Sequence, residues 1–140
     1  MYDVERIANI ISDIERYLRD LEELGIKNIE DLNDKKNMYA LSMVLFSIIN
    51  RTIDLADEIV MANSLGMPST YREAFKMLEK NGYIDSTLME KMSRLVSYRN
   101  VLAHEYYDIT EKDLFELQKN IGIVRQFTDT VKDLVKNKAH

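Results

Sequence analysis

Residues 35–63 read KKNMYALSMVLFSIINRTIDLADEIVMAN, and this stretch decides the fold. Leu41, Leu45, Ile48, Leu55 and Ile59 recur at helical spacing and form one apolar stripe. Tyr39, Met43, Phe46, Ile53 and Val60 form a second stripe, and Ile49 and Ala56 widen the apolar surface further. A helix apolar this far around has to be covered on more than one side. It is either the central helix of a bundle or a helix that gives part of its surface to a second subunit. Gly66 and Pro68 end it.

The flanking sequence repeats the helical signal and contains no convincing strand. Ile7, Ile10, Ile11, Ile14, Leu18 and Leu21 make one stripe over about 3–24, and Gly25 stands in the usual stop position. A short helix is predicted from Thr70, because Thr70 and Glu73 match the S/T-x-x-E pattern that satisfies free N–H groups at a helix start. Its inward residues are Tyr71, Ala74, Phe75 and Leu78. A fourth helix begins near Asp85 or Ser86 and carries Leu88, Met92, Leu95, Arg99 and Leu102 in one stripe. A fifth begins at Thr110 and continues through Leu114, Leu117, Ile121, Val124, Val131 and Val135. Short loops between these five amphipathic helices favour an all-α antiparallel bundle.

Composition narrows the function classes. A chain of 140 residues fits one domain, 1–140, and buries enough surface to need no disulfide or metal for its core. With no cysteine there is no disulfide framework, thiolate metal site or cysteine nucleophile. Asp3, Glu5 and Arg6 precede any apolar stretch, which does not read as an export signal. The longest uncharged run, between Lys36 and Arg51, is 14 residues, shorter than the roughly 18–20 that a membrane span requires. The expectation is a cytoplasmic protein with no membrane partner.

The formal net charge is −5, unhelpful for coating nucleic acid. That value averages unlike thirds. Residues 1–67 hold 7 basic and 13 acidic side chains, residues 68–104 hold 6 and 4, and residues 105–140 hold 6 and 7. The one positive segment includes Arg72, Arg94 and Arg99, and it ends on His104.

Arg99 breaks the pattern of the fourth helix, standing where an apolar residue belongs. An inward arginine needs a partner. It pairs with a carboxylate, lies at a subunit boundary or lines a cleft. Five residues on stands His104. On an unbroken helix that spacing is a rotation of about 140°, so the two would not share a face. They converge if the helix ends near Ala103, or across a dimer axis.

The run Ser97-Tyr98-Arg99-Asn100-Val101-Leu102-Ala103-His104-Glu105-Tyr106 resembles the R-x4-H-x-Y motif of HepT-like toxins, a branch of the HEPN ribonuclease superfamily. Upstream, Pro68-Ser69-Thr70-Tyr71-Arg72-Glu73-Ala74-Phe75, then Leu78 and Gly82, is similar to that branch's P-x-x-Y-R-E-A-F-x-x-L segment. Ile53-Asp54-Leu55-Ala56 resembles its second-helix signature more loosely. The resemblance covers roughly 2–135 with the same helix order. It implies a four- to five-helix HEPN bundle forming a homodimer, with the two motif copies meeting in a cleft. It also implies metal-independent RNA cleavage within a type VII toxin–antitoxin pair. The implied partner is an MntA-like nucleotidyltransferase antitoxin that transfers AMP to the motif tyrosine, here Tyr106.

The residue types suit that chemistry. Histidine exchanges a proton near neutral pH, and a fixed guanidinium neutralises charge developing on phosphoryl oxygens. Arg99 is the expected phosphate clamp, His104 the general acid/base and Asn100 the orienting residue; Arg72 and Arg94 are weaker candidates for substrate contact. No metal-ligand set stands beside the motif, and no cofactor is expected. Two other readings remain open: a non-catalytic nucleotide-binding subunit that docks a nucleotidyltransferase, and a helical dimerisation module in which Arg99 is a buried ion pair.

Overall fold

The computed structural model describes residues 1–103 and 109–138. Its centre is the 28-residue helix α2, Lys35–Ala62. Leu41, Leu45, Ile48, Leu55 and Ile59, the first predicted stripe, are all fully buried. Burying each such side chain contributes about 1.5–3 kcal/mol over leaving it in water, so together they fix how α2 is rotated in the bundle. Helix α1, Val4–Leu24, lies along α2 with Ile7, Ile10, Ile11, Ile14 and Leu18 buried. Gly25 closes α1 in the left-handed conformation, φ 65°.

Helices α3 (Tyr71–Lys80) and α4 (Ser86–Val96) pack on each other and on α2. Short helix α5 (Arg99–Ala103) and α6 (Glu111–Asn120) also rest on α2, and α7 (Ile123–Lys138) packs on α4. Phe75 of α3 meets Phe127 of α7 edge to face, ring centres 5.2 Å apart, at the fully buried centre. No strand occurs among the described residues.

By length and composition α2 could cross a membrane, a point that the run between charges did not reveal. Its packing against α1, α3, α4, α5 and α6 is instead that of a core helix.

Three local features differ from the sequence expectation. A 3₁₀ turn, Ile29–Asn33, precedes α2 and tucks Leu32 into the core. The predicted fourth helix is broken at Ser97-Tyr98, where the Ser97 hydroxyl donates to the Arg94 carbonyl (2.6 Å) and Tyr98 N–H to that of Leu95 (3.2 Å). This tightened turn re-aims α5 relative to α4. The predicted fifth helix likewise breaks at Ile121-Gly122, where bonds from Ile121 to Gln118 and from Val124 to Ile121 span three residues.

Helix starts match their caps. Asp85 accepts from Leu88 N–H (2.7 Å) and Thr110 from Asp113 N–H (3.1 Å). At α3 the Thr70 hydroxyl accepts from Glu73 N–H, but Glu73 reaches back to the N–H and hydroxyl of Ser69 rather than to Thr70. The capping box is thus shifted by one residue. It fixes the 64–70 loop against the start of α3.

Candidate functional site

Arg99 opens α5, directly after the tightened turn, and its side chain runs inward against α2 and α3. Its Nε donates to Asn50 Oδ1 at 3.1 Å and its Nη1 to Asn100 Oδ1 at 3.4 Å. The guanidinium carbon lies 5.4 Å from the Phe46 ring centre and 5.5 Å from that of Tyr71. Phe46 and Asn50 are one turn apart on α2, and Tyr71 is the first residue of α3.

Among the described residues no carboxylate stands within 4.0 Å of Arg99. Of the three partners expected for it, the ion pair is therefore absent from the described residues. Two amides and two aromatic rings hold the group instead. Amide oxygens accept hydrogen bonds without cancelling the charge, and ring faces attract a cation without neutralising it. The arrangement presents a fixed guanidinium, uncancelled among the described residues and suited to an anion with paired oxygens.

The surrounding surface belongs to one face of α2. Tyr39, Met43, Phe46, Asn50, Asp57 and Met61 fall on a single stripe at helical spacing. Tyr39 (74% exposed), Met43 (64%) and Met61 (68%) stand open to solvent, as does Met67 (88%) in the following loop. The second predicted stripe is thus divided: Ile53 and Val60 are buried in the core, while its first turns remain uncovered. A cavity of about 540 Å³ lies on this face, lined by Asp57, Met61, Met67, Pro68, Tyr71 and Asn100 among others.

Asp57 is half-buried in that cavity wall. Burial, and then the charges of Asp54 and Glu58, push its carboxyl above the ordinary carboxylate range. Asp54 is held by Arg51 at 2.9 Å, whereas no cation lies within 4.0 Å of Asp57 among the described residues. The folded chain therefore holds this proton at a pH where the unfolded chain has released it. The stability associated with Asp57 is fully present below the ordinary carboxylate range and is lost as pH rises through the raised value. Asp57→Asn is expected to raise the thermal midpoint at neutral pH, with the gain vanishing in acid. Calorimetry across that range checks it, and an equal gain at every pH would contradict it.

The other predicted residues are dispersed. Asn100 is exposed, touches Arg99 and lines the cavity. Arg72 is exposed on the first turn of α3 and is not among the residues lining that cavity. Arg94 is exposed on α4 and lines a different cavity together with Tyr98. His104 and Tyr106 lie outside the described residues, and so does the expected convergence of His104 with Arg99. Sequence reasoning missed Asn50 and Asp57. Their signal was present as two polar positions within an otherwise apolar helical stripe.

A family profile for HepT-like ribonucleases matches residues 7–133. The chain belongs to the HepT-like ribonuclease family. The mRNA nuclease HepT of Shewanella oneidensis is 24% identical over 127 residues, spanning 90% of this chain and 96% of that protein. Among solved structures, the tri-AMPylated Shewanella oneidensis HEPN toxin in complex with MNT antitoxin matches with a TM-score of 0.84, at 24% identity over 95% of this chain and 99% of that one. A toxin–antitoxin with AMP-PNP matches with a TM-score of 0.83, at 23% identity over 91% and 97%. The cytosolic protein YutE of Bacillus subtilis is similar in fold, with a TM-score of 0.84 at 16% identity over 99% of this chain and 95% of that one.

Proposed function

We propose that this HepT-like chain is a toxin that cleaves RNA without a metal. The observation that carries this reading is the Arg99 guanidinium, clamped by Asn50, Asn100, Phe46 and Tyr71 on an open face with no carboxylate beside it among the described residues. The 2′-hydroxyl attacks the adjacent phosphorus, and the bond to the leaving 5′-oxygen breaks. Arg99 stabilises the charge on the non-bridging oxygens. His104 removes the hydroxyl proton or protonates the leaving oxygen. A single His104 supplies only one of these roles at a time, so two copies of the chain would provide both. The open stripe of Tyr39, Met43 and Met61 around Arg99 is the surface on which a homodimer would bring the two motifs together.

The test is incubation of the purified chain with RNA in EDTA. Cleavage is expected in the native chain and lost in His104→Ala. RNA binding without cleavage by the native chain would select a non-catalytic subunit instead, and full activity in His104→Ala would remove the histidine from the mechanism.

The complex of a related HEPN toxin with MNT antitoxin supports a nucleotidyltransferase partner for this chain. In this reading the partner places AMP on Tyr106, two residues from His104, where its phosphate competes with RNA for Arg99. Coexpression with the cognate antitoxin is then expected to add adenylyl groups to the intact mass, and Tyr106→Phe to remove the addition. The reading also makes the protein cytoplasmic, where its substrate is.

A further inference from the structure

The α4–α6 side of the molecule carries a second cavity, about 340 Å³, away from the Arg99 cleft. Lys91, Arg94 and Lys119 surround it, Tyr98 forms a wall, and Leu95 and Leu117 are part of its apolar lining. Its size falls at the lower end of the range usual for small-molecule sites. Glu116, the one carboxylate among its described lining residues, lies 3.5 Å from Lys119 Nζ. Lys91 and Arg94 have no carboxylate within 4.0 Å among the described residues. Two exposed cations without an ion-pair partner among the described residues thus line the same cavity as buried Leu95 and Leu117 and half-buried Tyr98. Apolar and tyrosine surface accepts a flat base, and exposed cations beside it accept the attached phosphate.

We infer that this cavity is a nucleotide subsite, holding one base and phosphate of a single-stranded RNA outside the cleavage cleft. The inference rests on the ribonuclease reading for its choice of ligand. Tyr98 and Arg99 are consecutive, yet Tyr98 lines this cavity while Arg99 turns to α2 and α3. The turn at Ser97-Tyr98 separates the two side chains, so a strand held at one lies within reach of the other. The subsite also answers the charge problem. An acidic chain grips RNA only where positive charge is local, and Lys91 and Arg94, without an ion-pair partner among the described residues, provide that in the one positive segment.

The probe is a fluorescein-labelled single-stranded 2′-O-methyl oligo(A), which offers no 2′-hydroxyl for cleavage, titrated by anisotropy at several salt concentrations. Lys91→Gln/Arg94→Gln is expected to weaken binding by about tenfold or more, and to reduce the slope of log affinity on log salt by about 0.7 for the one lost phosphate contact. Tyr98→Ala is expected to weaken it about tenfold and Tyr98→Phe to restore it. Both charged residues are exposed, so the glutamine pair tests the site even if Tyr98→Ala fails to fold. Unchanged affinity and slope in the glutamine pair overturn the inference. Tight binding of 5′-AMP to the cavity with oligo(A) affinity independent of Lys91 and Arg94 overturns the RNA assignment in favour of a mononucleotide site. The two readings fail separately. A native chain that cuts no RNA, with these binding losses intact, removes the nuclease and leaves the subsite; a cutting chain with unaffected variants does the reverse.

Discussion

Arg99→Ala is expected to lower RNA cleavage by about a hundred- to a thousandfold, the effect of removing one preorganised donor to a developing oxyanion. Arg99→Lys is expected to recover little of it. The guanidinium is held in one plane by Asn50 at Nε and Asn100 at Nη1, between Phe46 and Tyr71. A lysine ammonium keeps the charge but has neither the fork nor the flat face for that clamp. The loss should fall on kcat more than on KM, because the stabilised charge exists only in the transition state. Stability should fall modestly, since the contacts to Asn50, Asn100, Phe46 and Tyr71 leave with the guanidinium. Single-turnover cleavage with a thermal melt on each variant separates the two quantities. An active Arg99→Lys would mean that charge alone matters and the clamp does not; an active Arg99→Ala would remove Arg99 from the chemistry.

Features that depend on local sequence were legible, and those that depend on distant contacts were not. Periodicity placed the buried faces of α1 and α2, because burial at the helical repeat is a local property of those segments. The caps at Thr70, Asp85 and Thr110 were legible for the same reason. The breaks at Ser97-Tyr98 and Ile121-Gly122 were not, since apolar spacing continues across both and only the backbone bonds reveal the turns. Arg99 could be read as inward, yet its partner could not. Asn50 is 49 residues earlier, and in sequence it is only a polar gap in an apolar run. A carboxylate is the usual partner of a buried arginine. The fold has instead brought an amide there, and that choice has a consequence.

Asn50→Asp is expected to make the protein more stable and less active. A carboxylate in place of the amide keeps the geometry at Arg99 Nε and turns a 3.1 Å hydrogen bond into an ion pair. The half-buried setting makes such a pair worth more than an exposed one, and a rise in thermal midpoint of about 2–4 °C corresponds to each kcal/mol gained. The neighbouring Asp54 is already engaged by Arg51 at 2.9 Å, which limits repulsion along α2. The same carboxylate cancels the charge that Arg99 offers to phosphate and adds a repulsive one behind it, so cleavage should fall by about tenfold or more. Asn50→Ala also loses activity, because the guanidinium is no longer held, but it should lower the midpoint rather than raise it. Opposite signs in stability with the same sign in activity distinguish a positioning amide from a residue that merely packs. If Asn50→Asp melts higher and still cleaves at the native rate, Arg99 does not meet the phosphate from this clamp. If it melts lower, the Arg99–Asn50 contact is not the one that sets the side chain's place.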